Sequence, residues 1–400
     1  MTPLSITDYT LTSSLGRGRD QHLQRLLNGQ SGLAPCRFPG AENLNAFVGE
    51  VDGLDRVELP AALERFDCRN NRLAWLGLAQ DSFRTAVEKA VARHGASRVA
   101  VFIGTSTSGI QQTELAYRAL DMGKESPQLP DWYCYEGTHN ASSVAEFVRL
   151  TLGLEGASSA VSTACSSSAK VFASAHRAIR AGLCDAAVVG GVDSLCLTTL
   201  HGFNALQLVA QDICRPFDAA RQGLSIGEAA GFALLEQNSD DGLAPCLLGY
   251  GESSDAYHMS APHPEGKGAY RAMSDALSRA ALAPADIDYI NLHGTGTRAN
   301  DQVESLAVQR LFGSAVPCSS TKGFTGHTLG AAGIVEAVIA LLCLQRGLRP
   351  ASLNIRDIDP EINLALLLAA REQALDTVLS NSFGFGGSNC SLILGRAAHG

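Results

Sequence analysis

Short apolar runs alternate along the chain with stretches whose apolar residues recur at helical spacing. The runs at 99–103, 186–189 and 229–236 have the length and aliphatic content of buried strands. Residues 72–94 place Leu73, Leu76, Leu78, Phe83, Val87 and Val91 on one side of a single long helix. A lead-in of a strand at 4–10 and a helix at 22–27 ends at Asn28-Gly29, and 36–70 is punctuated by proline and glycine. Residues 104–109 are a loop of small polar residues that either lines a pocket or simply turns the chain. Residues 115–145 read as irregular, with Trp132, Tyr133 and Tyr135 and a helix from about 141. The polar stretch 238–242 divides the chain into units 1–240 and 241–400. The second unit repeats the first: strand 246–250, irregular 251–266, helix 269–281, strand 287–292, helix 301–311 and an apolar helix 329–345. Strand-helix-strand order predicts parallel pairing, hence an α/β fold built from two duplicated halves. Near the end, strands at 377–380 and 390–394 flank a glycine-rich turn at 381–387. A dinucleotide fingerprint is rejected there, because a strand rather than a helix follows the glycines.

Composition narrows the function. The 400 residues are 46% hydrophobic, enough for a large core. A net charge of −9 without any basic run argues against nucleic acid or anionic membrane as a partner. The N-terminus lacks the basic start and apolar stretch of a secretory signal. The longest apolar segment, 334–344, is interrupted by Glu336, so no membrane span is expected. Eleven irregularly spaced cysteines suggest neither a disulfide framework nor a zinc site, and a reducing cytoplasm is the expected setting.

Three residues stand out chemically. Cys165 follows a short strand at 160–163 and precedes a helical pattern closed by Gly182, so it sits at a strand-to-helix elbow. The positive end of the helix favours a thiolate there, although cysteines also commonly just pack. His293 ends a strand and is followed by Gly294, Thr295, Gly296 and Thr297, small enough for an extended ligand to lie against the backbone. His327 precedes a helix, which keeps its ring neutral and able to donate one hydrogen bond. Two neutral imidazoles and a thiolate suit acyl transfer and enolate stabilisation. Lys322 is expected to be anchored by an acidic group such as Glu304.

Cys165 within STACSSSA, His293 within HGTGT, Lys322 and His327 within KGFTGHTLGAAG, and the closing NSFGFGGSN together resemble a β-ketoacyl-acyl carrier protein synthase of the type I/II condensing-enzyme group. The likeness runs over nearly the whole chain, from about Leu11 to Leu394. It implies the thiolase-like fold, a five-layer αβαβα sandwich of two duplicated halves, assembled as a dimer. It also implies Cys165 as the acylated nucleophile and His293 with His327 as the pair that decarboxylates malonyl-carrier protein. Lys322 matches the active-site lysine and Glu304 its acidic partner. Thr295 and Thr297 match threonines that hold the phosphopantetheine arm. Phe385 matches the gating phenylalanine whose amide completes an oxyanion hole with that of Cys165. Ile110 and Phe203 fall in the acyl pocket, and Arg69 and Arg72 where related synthases meet the acidic carrier protein. No bound cofactor is implied, the phosphopantetheine arriving on the acyl carrier protein.

The sequence departs from the family at Arg221-Gln-Gly-Leu224, where a phenylalanine usually follows R-D-G. Leu224 therefore bears on substrate identity, and a specialised polyketide or polyene pathway stands beside fatty acid synthesis. A homodimer is expected, with a heterodimer as the alternative. Two rival readings are a thiolase, disfavoured because Cys390 lies in a strand and not in a C-x-G motif, and a chain-length subunit, disfavoured because such subunits lack the nucleophile.

Overall fold

A computed structural model describes residues 1–123, 126–237 and 244–396. In the first half the strands are β1 (Leu4–Ser13), β2 (Val99–Gly104), β3 (Ser158–Val161), β4 (Ala186–Asp193) and β5 (Ala229–Glu236). In the second they are β6 (Pro245–Ser254), β7 (Tyr289–Asn291), β8 (Pro317–Ser319), β9 (Thr377–Gly384) and β10 (Ser388–Arg396). The hydrogen-bonded order is β1-β5-β4-β2-β3 in one half and β6-β10-β9-β7-β8 in the other. Each of these five strands of the second half thus occupies the place of its counterpart five earlier, and a two-residue strand, Ala365–Leu366, extends the sheet beyond β8. The pairing sense repeats as well: β1/β5 and β5/β4 are antiparallel, β4/β2 and β2/β3 parallel, and β6/β10, β10/β9, β9/β7 and β7/β8 follow suit. The halves meet where Leu4 and Ser5 of β1 pair with Leu247 and Cys246 of β6. The polar stretch 238–242 lies outside the described residues.

Helices fill three layers around these sheets. The helices used below are α1 (Arg69–Leu78), α2 (Phe83–His94), α3 (Ile110–Arg118), α4 (Ser142–Thr151), α5 (Ser167–Arg180), α6 (Leu197–Ala205), α7 (Lys267–Ala280), α8 (Arg298–Phe312) and α9 (Ala332–Arg346). Helices α1, α2 and α4 cover the outer face of the first half-sheet, and α7 and α8 that of the second. Between the sheets lie α5 and α9, which touch each other and strands of both halves. Every residue of α9 from Ala332 to Leu344 is buried, so it is apolar all round and not striped. The segment Leu329–Arg346 is long and apolar enough to cross a membrane, which the sequence reading did not anticipate, but 89% of it is buried inside the fold.

Two helical expectations are corrected. The stretch 72–94 is not one helix, because Asp81 and Ser82 adopt left-handed φ values of 55° and 59° between α1 and α2. The Asp81 carboxylate accepts from Thr10 Oγ1 and the Arg19 amide, and this tie to the N-terminal segment turns the chain. Helix α3 was not foreseen because Ala116 is its one buried residue, leaving no apolar stripe to read.

Candidate active site

The site forms where the ends of equivalent strands from the two halves converge. Cys165 sits between β3 and α5, after Ala164, whose φ of 53° is left-handed and strained for a residue with a side chain. Hydroxyls brace this elbow: Ser167 Oγ accepts from the Thr163 amide at 2.9 Å, and Ser166 Oγ and Ser167 Oγ donate to the carbonyls of Thr163 and Ala164. On the opposite side β9 ends at Gly384, and the backbone N–H of Phe385 reaches the Cys165 sulfur.

His327 Nε2 lies 3.1 Å from Cys165 Sγ. Its Nδ1 accepts from the Leu329 amide at 3.3 Å, which leaves the ring proton on Nε2, facing the sulfur. His293 stands almost perpendicular to it, ring centroids 5.3 Å apart at 85°. Behind His293, Lys322 Nζ bonds the His293 carbonyl, lies 3.3 Å from His293 Nδ1, and pairs with Glu336 Oε1. The three donors of an ammonium are thereby used, and His293 Nδ1 is left an acceptor with its proton on Nε2. The Cys165 sulfur and one ring nitrogen each of His293 and His327 all fall within 4.8 Å of one another.

This geometry corrects the expected pairing of Lys322 with Glu304. The partner is Glu336, one turn into α9, whereas Glu304 on α8 accepts the amides of His293 and Gly294, each at 2.7 Å, and Asn381 Nδ2 at 3.1 Å. Glu304 thus fixes the backbone that carries His293. Sequence reasoning missed Glu336 because it reads as an interruption in an apolar helix; a lone acid amid apolar residues was the available signal.

Burial dominates the electrostatics. It holds both imidazoles well below their ordinary range, with the Lys322 charge adding to it in each and His327 also acting on His293. It pushes the Cys165 thiol up to about 11, against the lowering effects of Lys322 and the Phe385 amide. The resting thiol therefore keeps its proton, desolvation outweighing Lys322 and the Phe385 amide, where the helix end had suggested a bias toward thiolate. Burial likewise raises Glu304 and Glu336 to about 7.

A cavity of about 340 Å³ opens from Cys165, His293 and His327 past Thr295, Thr297 and Phe385. Thr295 and Thr297 share a hydrogen bond of 2.9 Å between hydroxyls, and Thr297 also caps α8 by accepting from the Asn300 amide. Gly296, at φ 85°, allows this loop to press on the Arg221–Leu224 segment, where a Cβ would meet the Gly223 carbonyl at 2.5 Å. Phe203 and Leu224 line the cavity, Phe203 with its ring 5.7 Å from that of Phe385. Ile110 does not join them. It lies in a separate cleft with Thr113, Tyr117 and Thr198, because Glu114 of α3 caps the start of α6 and holds the two helices together there.

The basic pair foreseen as a docking surface is also corrected. Arg69 is buried and bonded to Glu228, Glu50 and Asp55. Arg72, about one-third exposed, donates from Nε and Nη2 to the two carboxylate oxygens of Asp67, each at 2.6 Å. The pattern gave no sign of these carboxylates, of which Glu228 is far away in sequence. Loop 104–109 has a structural job: Thr105, Ser106 and Thr107 bind the buried Asp193 carboxylate, which also accepts from Gly330 beside His327.

Two family models match the chain, the beta-ketoacyl synthase N-terminal domain over residues 2–241 and its C-terminal domain over 245–356. The chain belongs to the beta-ketoacyl synthase family. It is a ketosynthase, an acyl-transferring condensing enzyme of the fatty acid or polyketide type, on the thiolase-like fold. It is 42% identical to a 3-oxoacyl-[acyl-carrier-protein] synthase 2 of Rhizobium meliloti, covering 98% of both chains. A second relative of that name, from Coxiella burnetii, is 32% identical over 98% of each chain. Among solved structures, the ketosynthase ApeO in complex with its chain length factor ApeC from Xenorhabdus doucetiae is 41% identical with a TM-score of 0.88, covering 99% of this chain and 98% of that one. The ishigamide ketosynthase/chain length factor is 27% identical, also with a TM-score of 0.88, covering 99% of this chain and all of that one.

Proposed function

We propose that Cys165 is the acyl-accepting nucleophile of a decarboxylative Claisen condensation whose two substrates arrive on acyl carrier protein. The observation that carries this reading is the 3.1 Å contact between Cys165 Sγ and His327 Nε2, with His293 set across it. First, the sulfur attacks the acyl thioester carbonyl; a carbon–sulfur bond forms, and the carrier's thiolate leaves with the proton given up by Cys165. The amides of Cys165 and Phe385 hold the oxyanion. Malonyl-carrier protein then loses carbon dioxide, and the freed electron pair becomes an enolate whose oxygen accepts from Nε2–H of His293 and His327. The enolate carbon attacks the acyl carbonyl, the Cys165 sulfur leaves as the thiolate, and one proton taken up from solvent restores the thiol. Carbon dioxide release drives the step, so it calls for no metal or redox group. Trapping the acyl enzyme by intact-protein mass spectrometry tests the assignment: an adduct on the wild type must vanish in Cys165→Ala.

The substrate reading favours a specialised polyketide or polyene-type chain, supported by Leu224 where the family usually has phenylalanine and by the 41% identity to a ketosynthase solved in complex with a chain length factor. The edge strand β3, where Ser158 and Ser159 are exposed, and the exposed apolar residues Leu115, Tyr117, Met122 and Trp132 are the surface that a dimer partner would cover. A homodimer is the first reading; similarity to a ketosynthase–chain length factor complex favours a heterodimer as the second. All eleven cysteines are unbridged, which fits a reducing, cytoplasmic setting. Light scattering of the chain alone separates the two: a dimer mass supports the first, a monomer the second.

A further inference from the structure

Arg298 is the first residue of α8, directly after the Thr297 cap. It lines the same cavity as Cys165, His293 and Thr295, and its side chain is exposed. Its neighbours among the cations are ion-paired, although Arg221 Nε and Nη2 make no hydrogen bond. Arg221, fully buried at the cavity wall, contacts Asp301 and Asp359 at 3.3 and 2.6 Å, and Arg215 pairs with Asp212. Arg298 makes one long hydrogen bond, 3.4 Å to the Ala219 carbonyl, and has no carboxylate at ion-pairing distance among the described residues. Its field reaches Asp359, but that carboxylate is already held by Arg221.

We propose that Arg298 binds the phosphate of the phosphopantetheine arm as the arm threads toward Cys165, an inference that rests on the function proposed above. The arm is an extended chain with a thiol at one end and a phosphodiester at the other. When its thioester meets Cys165, its middle passes Thr295 and Thr297, and the phosphate is left toward the exposed rim. A guanidinium matches phosphate geometry with two parallel donors, and the free amides of the first α8 turn add to the attraction. Such a contact serves every carrier protein alike, since the arm is common to all.

The test measures Cys165 acylation from three donors: acyl-phosphopantetheine, acyl-pantetheine lacking the phosphate, and acyl carrier protein. Arg298→Ala should raise KM for the two phosphate-bearing donors about tenfold, the worth of a charge-assisted contact. It should leave acyl-pantetheine and kcat unchanged, and Arg298→Lys should restore part of the loss. Equal loss with acyl-pantetheine would overturn the proposal, because Arg298 would then be shaping the cavity. Loss with the carrier protein alone, or no loss, overturns it too; the former assigns Arg298 to carboxylates on the carrier surface. Failure of the wild type to acylate from any donor contradicts the underlying condensing reading instead.

Discussion

Lys322 and Glu336 form an ion pair behind the two histidines, their side chains only 2% and 3% exposed. The pair turns an ammonium into a fixed donor for the carbonyl and Nδ1 of His293. Glu336→Ala leaves that charge buried without its partner, a loss of about 3–5 kcal/mol in comparable buried pairs. Its melting temperature should fall sharply and condensation should be lost. Glu336→Gln should keep more stability than Glu336→Ala, and a calorimetric comparison of the two decides it.

The thiol of Cys165 should titrate late. With its value pushed up to about 11, and imidazoles that do not charge near neutrality, its alkylation by iodoacetamide should rise about tenfold per pH unit from pH 7 to 9. A plateau across that range would reveal a thiolate–imidazolium pair and contradict the neutral resting site.

Glu304 offers a pH test with a definite sign. Its carboxyl is raised from about 4.5 to about 7, so between those values the folded protein holds a proton that the unfolded chain has released. Its contribution to stability is greatest below pH 4.5 and falls as pH rises through 7. The stability of wild type minus that of Glu304→Gln should therefore decrease from pH 5 to 7, measured by denaturant melts; a flat difference would place the Glu304 value near the ordinary one.

Leu224 lines the cavity beside Phe203 and is packed in the apolar cluster behind it. Leu224→Phe adds bulk to a packed wall, at a cost of about 1–3 kcal/mol where overpacking is not relieved. The longest accepted acyl chains should lose about tenfold or more in kcat/KM while short ones are spared, as read from products of an acyl-carrier series. Uniform loss would remove Leu224 from chain selection.

Much of this was legible in the chain. Short apolar runs and helical spacing located most strands and helices, and the repeated grammar of the halves anticipated the matched strand order. Cys165, His293 and His327 stood out because each lies at a strand or helix end, and Lys322 entered through the motif it shares with His327. What patterning did not show were pairings between distant residues. Arg69 reads as a surface cation until Glu228 is brought beside it, and Lys322 has two acids at plausible spacing, of which the fold selects Glu336. Ile110 fell outside the cavity for a similar reason, since the capping of α6 by Glu114 is a contact between segments far apart in sequence.

The coupling of condensation to decarboxylation is read out in a single turnover. The acyl enzyme, formed and desalted, is mixed with malonyl-carrier protein, and carbon dioxide and the carrier-bound product are both quantified. The account predicts one carbon dioxide released per β-ketoacyl product, two carbons longer than the acyl group loaded on Cys165. Discharge of the acyl group unchanged, or elongation without carbon dioxide release, would contradict it.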